Sequence, residues 1–140
     1  MSRQQSVQVI FEHIGIISRQ IQSRVSKPFL QYNLSRPYMD ILFLLSAKEQ
    51  VNIKSIADYL KVTSGAASQF IDNLESKKLV KRVEDPADRR GCSIRLTKAS
   101  QLEISSFKKM YYSASGISFE NLDDKELQAL EQLIQKVRIL

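Results

Sequence analysis

The chain is 140 residues long with a mass of 16.1 kDa, 43% hydrophobic and 26% charged residues, which suits one globular domain and gives it enough apolar material for a core. No apolar run is long enough to cross a bilayer, and the first residues lead into an amphipathic stretch rather than a signal-peptide core, so a cytoplasmic protein with no membrane partner is expected. Cys92 is the single cysteine and His13 the single histidine, which excludes an internal disulfide and falls short of a zinc ligand cluster; no cofactor and no metal are expected.

Val7, Ile10, Phe11, Ile14, Ile17 and Ile21 recur at three- and four-residue spacing and predict a first helix over residues 5 to 26, stopped near Pro28. Val9 and Ile16 add apolar surface outside that stripe, and a helix apolar on more than one face needs more than one neighbour. Ser35 offers an N-cap oxygen and Pro37 fits the first turn of a second helix carrying Tyr38, Ile41, Leu42 and Leu45. Asn52 caps a short third helix that buries Ile56, Ala57 and Leu60. Thr63 then caps a fourth, over residues 64 to 77, with Ala67, Phe70, Ile71 and Leu74 on one side and Ser64, Gly65, Ala66, Ser68, Gln69, Asp72 and Asn73 pointing away.

A hairpin follows. Its second strand places Cys92, Ile94 and Leu96 on one face and Ser93 and Arg95 on the other, and its tip is the run from Asp85 through Asp88, Arg89 and Arg90 to Gly91. From Lys77 to Lys98 eight basic residues stand against three acidic ones, which places +5 of the chain's +6 in this one segment. Such concentration is the electrostatic footprint of a polyanion site, although charge runs are also ordinary on a solvated hairpin. Thr97 caps a further helix with Leu102, Phe107, Met110 and Tyr111, ending near Gly116, and Asp123 with Glu126 has capping-box spacing before a last helix carrying Leu127, Leu130, Leu133, Ile134 and Val137. The fold class expected is mainly α with a small β-hairpin wing: a winged helix-turn-helix over about residues 35–97, within a single domain covering 1–140.

The side chains on the open face of the fourth helix are small and polar, which lets a helix enter the major groove of double-stranded DNA without holding its backbone away from the base edges. Gly65 and Ala66 supply clearance, Gln69 can bond bidentately to adenine, Ser64 and Ser68 can reach phosphate or a base edge, and Asn73 can contact the backbone. On the wing, Arg90 is the side chain aimed at the minor groove, Arg89 stands beside it, and Asp88 can orient its guanidinium. Ser35, Arg36, Lys81, Arg82 and Arg95 are further candidates for the DNA backbone. The plainer readings are a solvated helix face, a surface ion pair at the wing, and packing roles for Cys92 and His13. No nucleophile, base and oxyanion arrangement and no phosphate-binding glycine loop is visible, so an enzyme is not expected. A winged-helix module docking a partner protein is the alternative; the outward basic wing speaks against it.

The order of helices, wing and closing helices resembles the MarR family of bacterial transcription regulators. Asp88, Arg89 and Arg90, with Leu96 and Thr97 beyond them, resemble that family's wing signature, and the run from Leu74 through Lys78 to Val80 resembles its recognition-helix exit. The resemblance covers about residues 35–97 closely and the flanking helices in number and order. It implies a homodimer held by helices over about residues 5–26 and 98–140, a palindromic operator, repression more often than activation, and in many members release by a small aromatic effector. Control by cysteine oxidation or by zinc fits poorly, because the first helix has no cysteine and the chain has one histidine. The family usually has glycine where this chain has Lys78 and Ser100, and often basic residues where it has Gln69 and Asn73. If Lys78 closes the recognition helix, a left-handed backbone is expected there.

Overall fold

A computed structural model describes residues 1–85 and 88–137; at Asp85, Asp88, Arg89 and Arg90 it describes the backbone alone. The elements run α1 (Arg3–Arg24), a short 3-10 turn (Leu30–Tyr32), α2 (Arg36–Ala47), α3 (Ile53–Leu60), α4 (Ser64–Ser76), β1 (Val80–Asp85), β2 (Asp88–Leu96), α5 (Lys98–Gly116), a second 3-10 turn (Ile117–Phe119) and α6 (Asp124–Gln135). This is the mainly helical winged architecture expected, and every helix but α2 starts where a capping residue satisfies otherwise orphaned N–H groups. Asn52 accepts from the Ser55 N–H at 2.8 Å, Thr63 from Ala66 at 3.1 Å and Thr97 from Ser100 at 3.3 Å. α1 begins slightly earlier than the periodicity suggested because Ser2 and Gln5 form a capping box. Ser35 corrects the expectation: it occupies the N-cap position of α2 with extended backbone, but its side chain makes no capping hydrogen bond.

The chain divides into two compact units, one formed by residues 28–107 and the other by residues 1–27 with those from Lys108 onward. In the first, Ile41, Leu42, Ile56, Ala67, Ile71 and Leu74 are wholly buried or nearly so and meet Val51, Leu79, Val80, Ile94 and Leu96 in one core. Tyr38 and Phe70 close its edge in a T-shaped ring contact at 5.1 Å. β1 and β2 pair antiparallel, with Val80 opposite Leu96 and Arg82 opposite Ile94, and a register irregularity between Glu84 and Asp85 near the turn. Val51 bridges to Ile94, whose N–H donates to the Val51 carbonyl at 2.7 Å, adding a one-residue third strand.

Two left-handed lysines shape the turns around α4. Lys61, at φ 56°, ends α3 with its N–H on the Asp58 carbonyl and that of Val62 on Ala57, so the connection between α3 and α4 is three residues, Lys61 to Thr63. Lys78, at φ 59°, ends α4 with the Lys78 N–H on Glu75 and the Leu79 N–H on Leu74, the paired bonds of a Schellman motif. The left-handed backbone expected at Lys78 is present, carried by a residue with a Cβ where glycine is the unstrained choice. Phe29 is also left-handed, at φ 58°, although buried; its N–H donates to the Glu103 carboxylate.

The second unit is built differently. α1 is 22 residues long and buries Ile21 alone among its side chains, while Val7, Ile10, Phe11 and Ile14 are exposed in the single chain, Phe11 to 77%. α6, opened by the Asp123–Glu126 capping box, buries none of its side chains and exposes Leu127, Leu133 and Ile134. Among the described residues, no helix is long and apolar enough to cross a membrane.

Candidate nucleic-acid interface

α4 presents two unlike sides. Ala67, Ile71 and Leu74 face the core, whereas Ser64, Gly65, Gln69, Asp72 and Asn73 are exposed and Ala66 and Ser68 are half-buried. The Thr63 cap fixes where this face starts, one residue before Ser64. Gly65 is not required by the backbone: it lacks positive φ, and a Cβ built on it meets nothing nearer than the Thr63 hydroxyl at 4.0 Å. Its smallness is therefore not imposed by packing within the fold. Asn73 has its side-chain oxygen occupied by the Lys77 ammonium one turn on.

The hairpin separates its faces as the alternation suggested. Cys92 packs against the core beside Ile94 and Leu96, and Arg95 is exposed. Lys81 stands opposite Arg95 on the exposed face, and like charges directly across an antiparallel pair repel. An anion between them would relieve that repulsion. Beyond this pair, β2 begins at Asp88, so the backbone of Asp88, Arg89 and Arg90 belongs to the strand, but their side chains, with all of Pro86 and Ala87, lie outside the described residues. At the start of α2, Ser35 and Arg36 are both exposed, and the Arg36 guanidinium stands 3.8 Å from the Asp40 carboxylate.

Arg82 departs from the sequence expectation of a cation free for the DNA backbone. It lies in phase with Val80, on the face of β1 turned toward α4, and its two terminal nitrogens go to different carboxylates: Nη2 donates to Asp72 Oδ1 at 2.6 Å and Nη1 to Glu75 Oε1 at 2.8 Å. Its backbone N–H also points at Glu75 Oε2, at 3.3 Å. The hydrogen bond that Arg82 donates to Asp72 raises the Arg82 pKa above its ordinary value; partial desolvation opposes this, and the charges of Glu75 and Asp72 add to it. The roles of Asp72 and Glu75 were not read from the sequence. One signal was available: Arg82 occupies a core-facing phase of its strand, where a charged side chain needs a partner.

Among the described residues, no group of three or more histidine, cysteine or acidic side chains is placed to hold a metal ion. The geometry instead offers a capped helix with a small polar face, followed by a basic hairpin.

Comparison with known proteins places this arrangement. A MarR family model matches residues 32–91. The HTH-type transcriptional regulator MgrA of Staphylococcus aureus is 31% identical over 115 residues, covering 80% of this chain and 75% of MgrA. A MarR family protein from Bacillus stearothermophilus shares the fold with a TM-score of 0.74 at 17% identity, over 97% of this chain and 95% of the other. MepR of Staphylococcus aureus, solved with ethidium bromide bound, has a TM-score of 0.66 at 20% identity, covering 97% of this chain and 94% of the other.

Proposed function

The chain belongs to the MarR family of DNA-binding transcription regulators, which are not enzymes, and from that premise we propose that it is a cytoplasmic homodimeric repressor. Its target is a palindromic operator in double-stranded DNA. The observation that carries this reading is the outer face of α4, where Ser64, Gly65, Gln69 and Asn73 are exposed on a helix whose other side is locked into the core. Small residues at the N-terminal end of such a helix let its backbone approach base edges, and Gln69 has the donor and acceptor pair that adenine needs.

In this reading Ser64, Gly65, Ala66, Ser68, Gln69 and Asn73 meet the major groove and its walls. Asp88, Arg89 and Arg90 serve the wing, with Arg90 in the minor groove, and Ser35, Arg36, Lys81 and Arg95 meet phosphates. Homodimerisation is supported by the apolar residues that α1 and α6 leave uncovered, which a second copy would bury. Release by a small aromatic ligand is supported by a single likeness, to MepR, which was solved with ethidium bromide bound.

The test is selection from a randomised duplex library with the purified protein. Enrichment of a palindromic sequence whose binding weakens steeply with salt is the expected result. Failure to enrich any duplex would contradict the reading and favour a protein-docking module.

A further inference from the structure

The charged groups of Arg82, Asp72 and Glu75 join two elements that the proposed function needs in fixed relation: the second half of α4, just past Gln69, and the first strand of the wing. The side chain of Arg82 is 29% exposed, against 63% for Asp72 and 42% for Glu75. Partnering the half-buried Arg82 accounts for one carboxylate, and exposed ion pairs contribute little to folding stability, which leaves the second, largely exposed carboxylate open to a further role. The geometry of the three-member cluster is specific. One planar guanidinium spans two carboxylates a helical turn apart, and Glu75 accepts from both the Arg82 side chain and the Arg82 backbone, which ties a point on β1 to a point on α4.

The cluster also puts two negative charges on a helix meant to approach phosphates. Asp72 is i+3 from Gln69 and exposed, where a lone carboxylate would repel DNA. For simple attraction, a neutral residue at that position and a free Arg82 would serve better.

We propose that Arg82 is a positioning residue for DNA recognition, acting through Asp72 and Glu75 to hold α4 against β1 so that the Gln69 face and the wing engage one duplex in a fixed register. This rests on the DNA-facing reading of α4. It assigns Arg82 to specificity and not to phosphate contact, and it gives the two carboxylates a favourable role in binding despite their charge.

Two variants of the full chain separate these roles, each measured on the duplex enriched by the wild-type protein and on an unrelated duplex of equal length, over a range of salt. Arg82→Lys keeps the charge but loses the planar fork. The expected result is a loss of about fivefold or more on the enriched duplex, with little change on the unrelated one and an unchanged salt slope. Asp72→Asn with Glu75→Gln removes two negative charges per chain. Binding to the unrelated duplex should tighten while the enriched duplex gains nothing, so the preference narrows. Melting curves of both variants should stay near wild type, and a large drop in either would make the cluster a stability element and overturn the proposal. Arg82→Lys behaving as wild type on both duplexes, or the neutral pair tightening both in parallel, would overturn it as well. A wild-type protein with no sequence preference would overturn the DNA-facing reading of α4 itself, whereas a wild-type preference that survives Arg82→Lys overturns only the role of Arg82.

Discussion

Residues 28–107 and the two ends of the chain solve the burial problem in different ways. The winged unit closes on itself: Ile41, Leu42, Ile56, Ala67, Ile71 and Leu74 are each 0% exposed, and the hairpin and first part of α5 complete the enclosure with Ile94 and Ile104. In α1 and α6 apolar residues recur just as regularly, yet Phe11, Ile14, Leu133 and Ile134 remain more than half exposed. Periodicity marks which side chains must be covered. It does not say whether the cover comes from the same chain: the winged unit covers its own core, whereas the ends leave theirs exposed, and in the proposed dimer a second copy covers them.

The contrast breaks most visibly at the ends. Phe11→Glu with Ile14→Glu should abolish the dimer and with it tight operator binding, while the far-ultraviolet signature of the helices persists; sedimentation at micromolar concentration checks it, and an intact dimer would show that α1 is covered otherwise. Ile71→Ala attacks the closed unit instead and should cost about 2 to 5 kcal/mol of stability, read by denaturant unfolding, because a fully buried side chain leaves a cavity. Gln69→Ala touches neither core nor ends. Its expected cost is about 1 to 3 kcal/mol on the enriched duplex and little on unrelated DNA, and equal loss on both would reduce Gln69 to a general contact. The smallest effect is expected at Lys78→Gly, which should stabilise the winged unit by about 0.5 to 1 kcal/mol by relieving the Cβ conflict at positive φ, visible as a raised melting temperature.

What could be read from the sequence was local. The caps at Asn52, Thr63, Thr97 and Asp123, the alternation of β2 and the left-handed exit at Lys78 each depend on residues a few positions apart, and each stands where the spacing put it. Long-range pairing was not legible. Val51 makes a single bridge to Ile94, too short to leave an alternating pattern, and Arg82 meets partners seven and ten residues back on another element. Ser35 shows the converse limit: a residue of the right type at the cap position does not guarantee the bond, because its hydroxyl must also turn toward the helix. Within the candidate interface, the face of α4 was legible because it is the complement of a core stripe. Arg82 was legible only as a charge in a core-facing phase of β1; which carboxylates meet it was not, until the fold brings Asp72 and Glu75 to it.

The central claim is that the winged unit reads DNA and the helical ends deliver it as a pair. Native mass spectrometry of the protein with its enriched duplex tests this most directly. Two chains of 16.1 kDa bound to one palindromic duplex, with no stable one-chain complex, is the predicted result. A single chain holding the duplex with full affinity would contradict it.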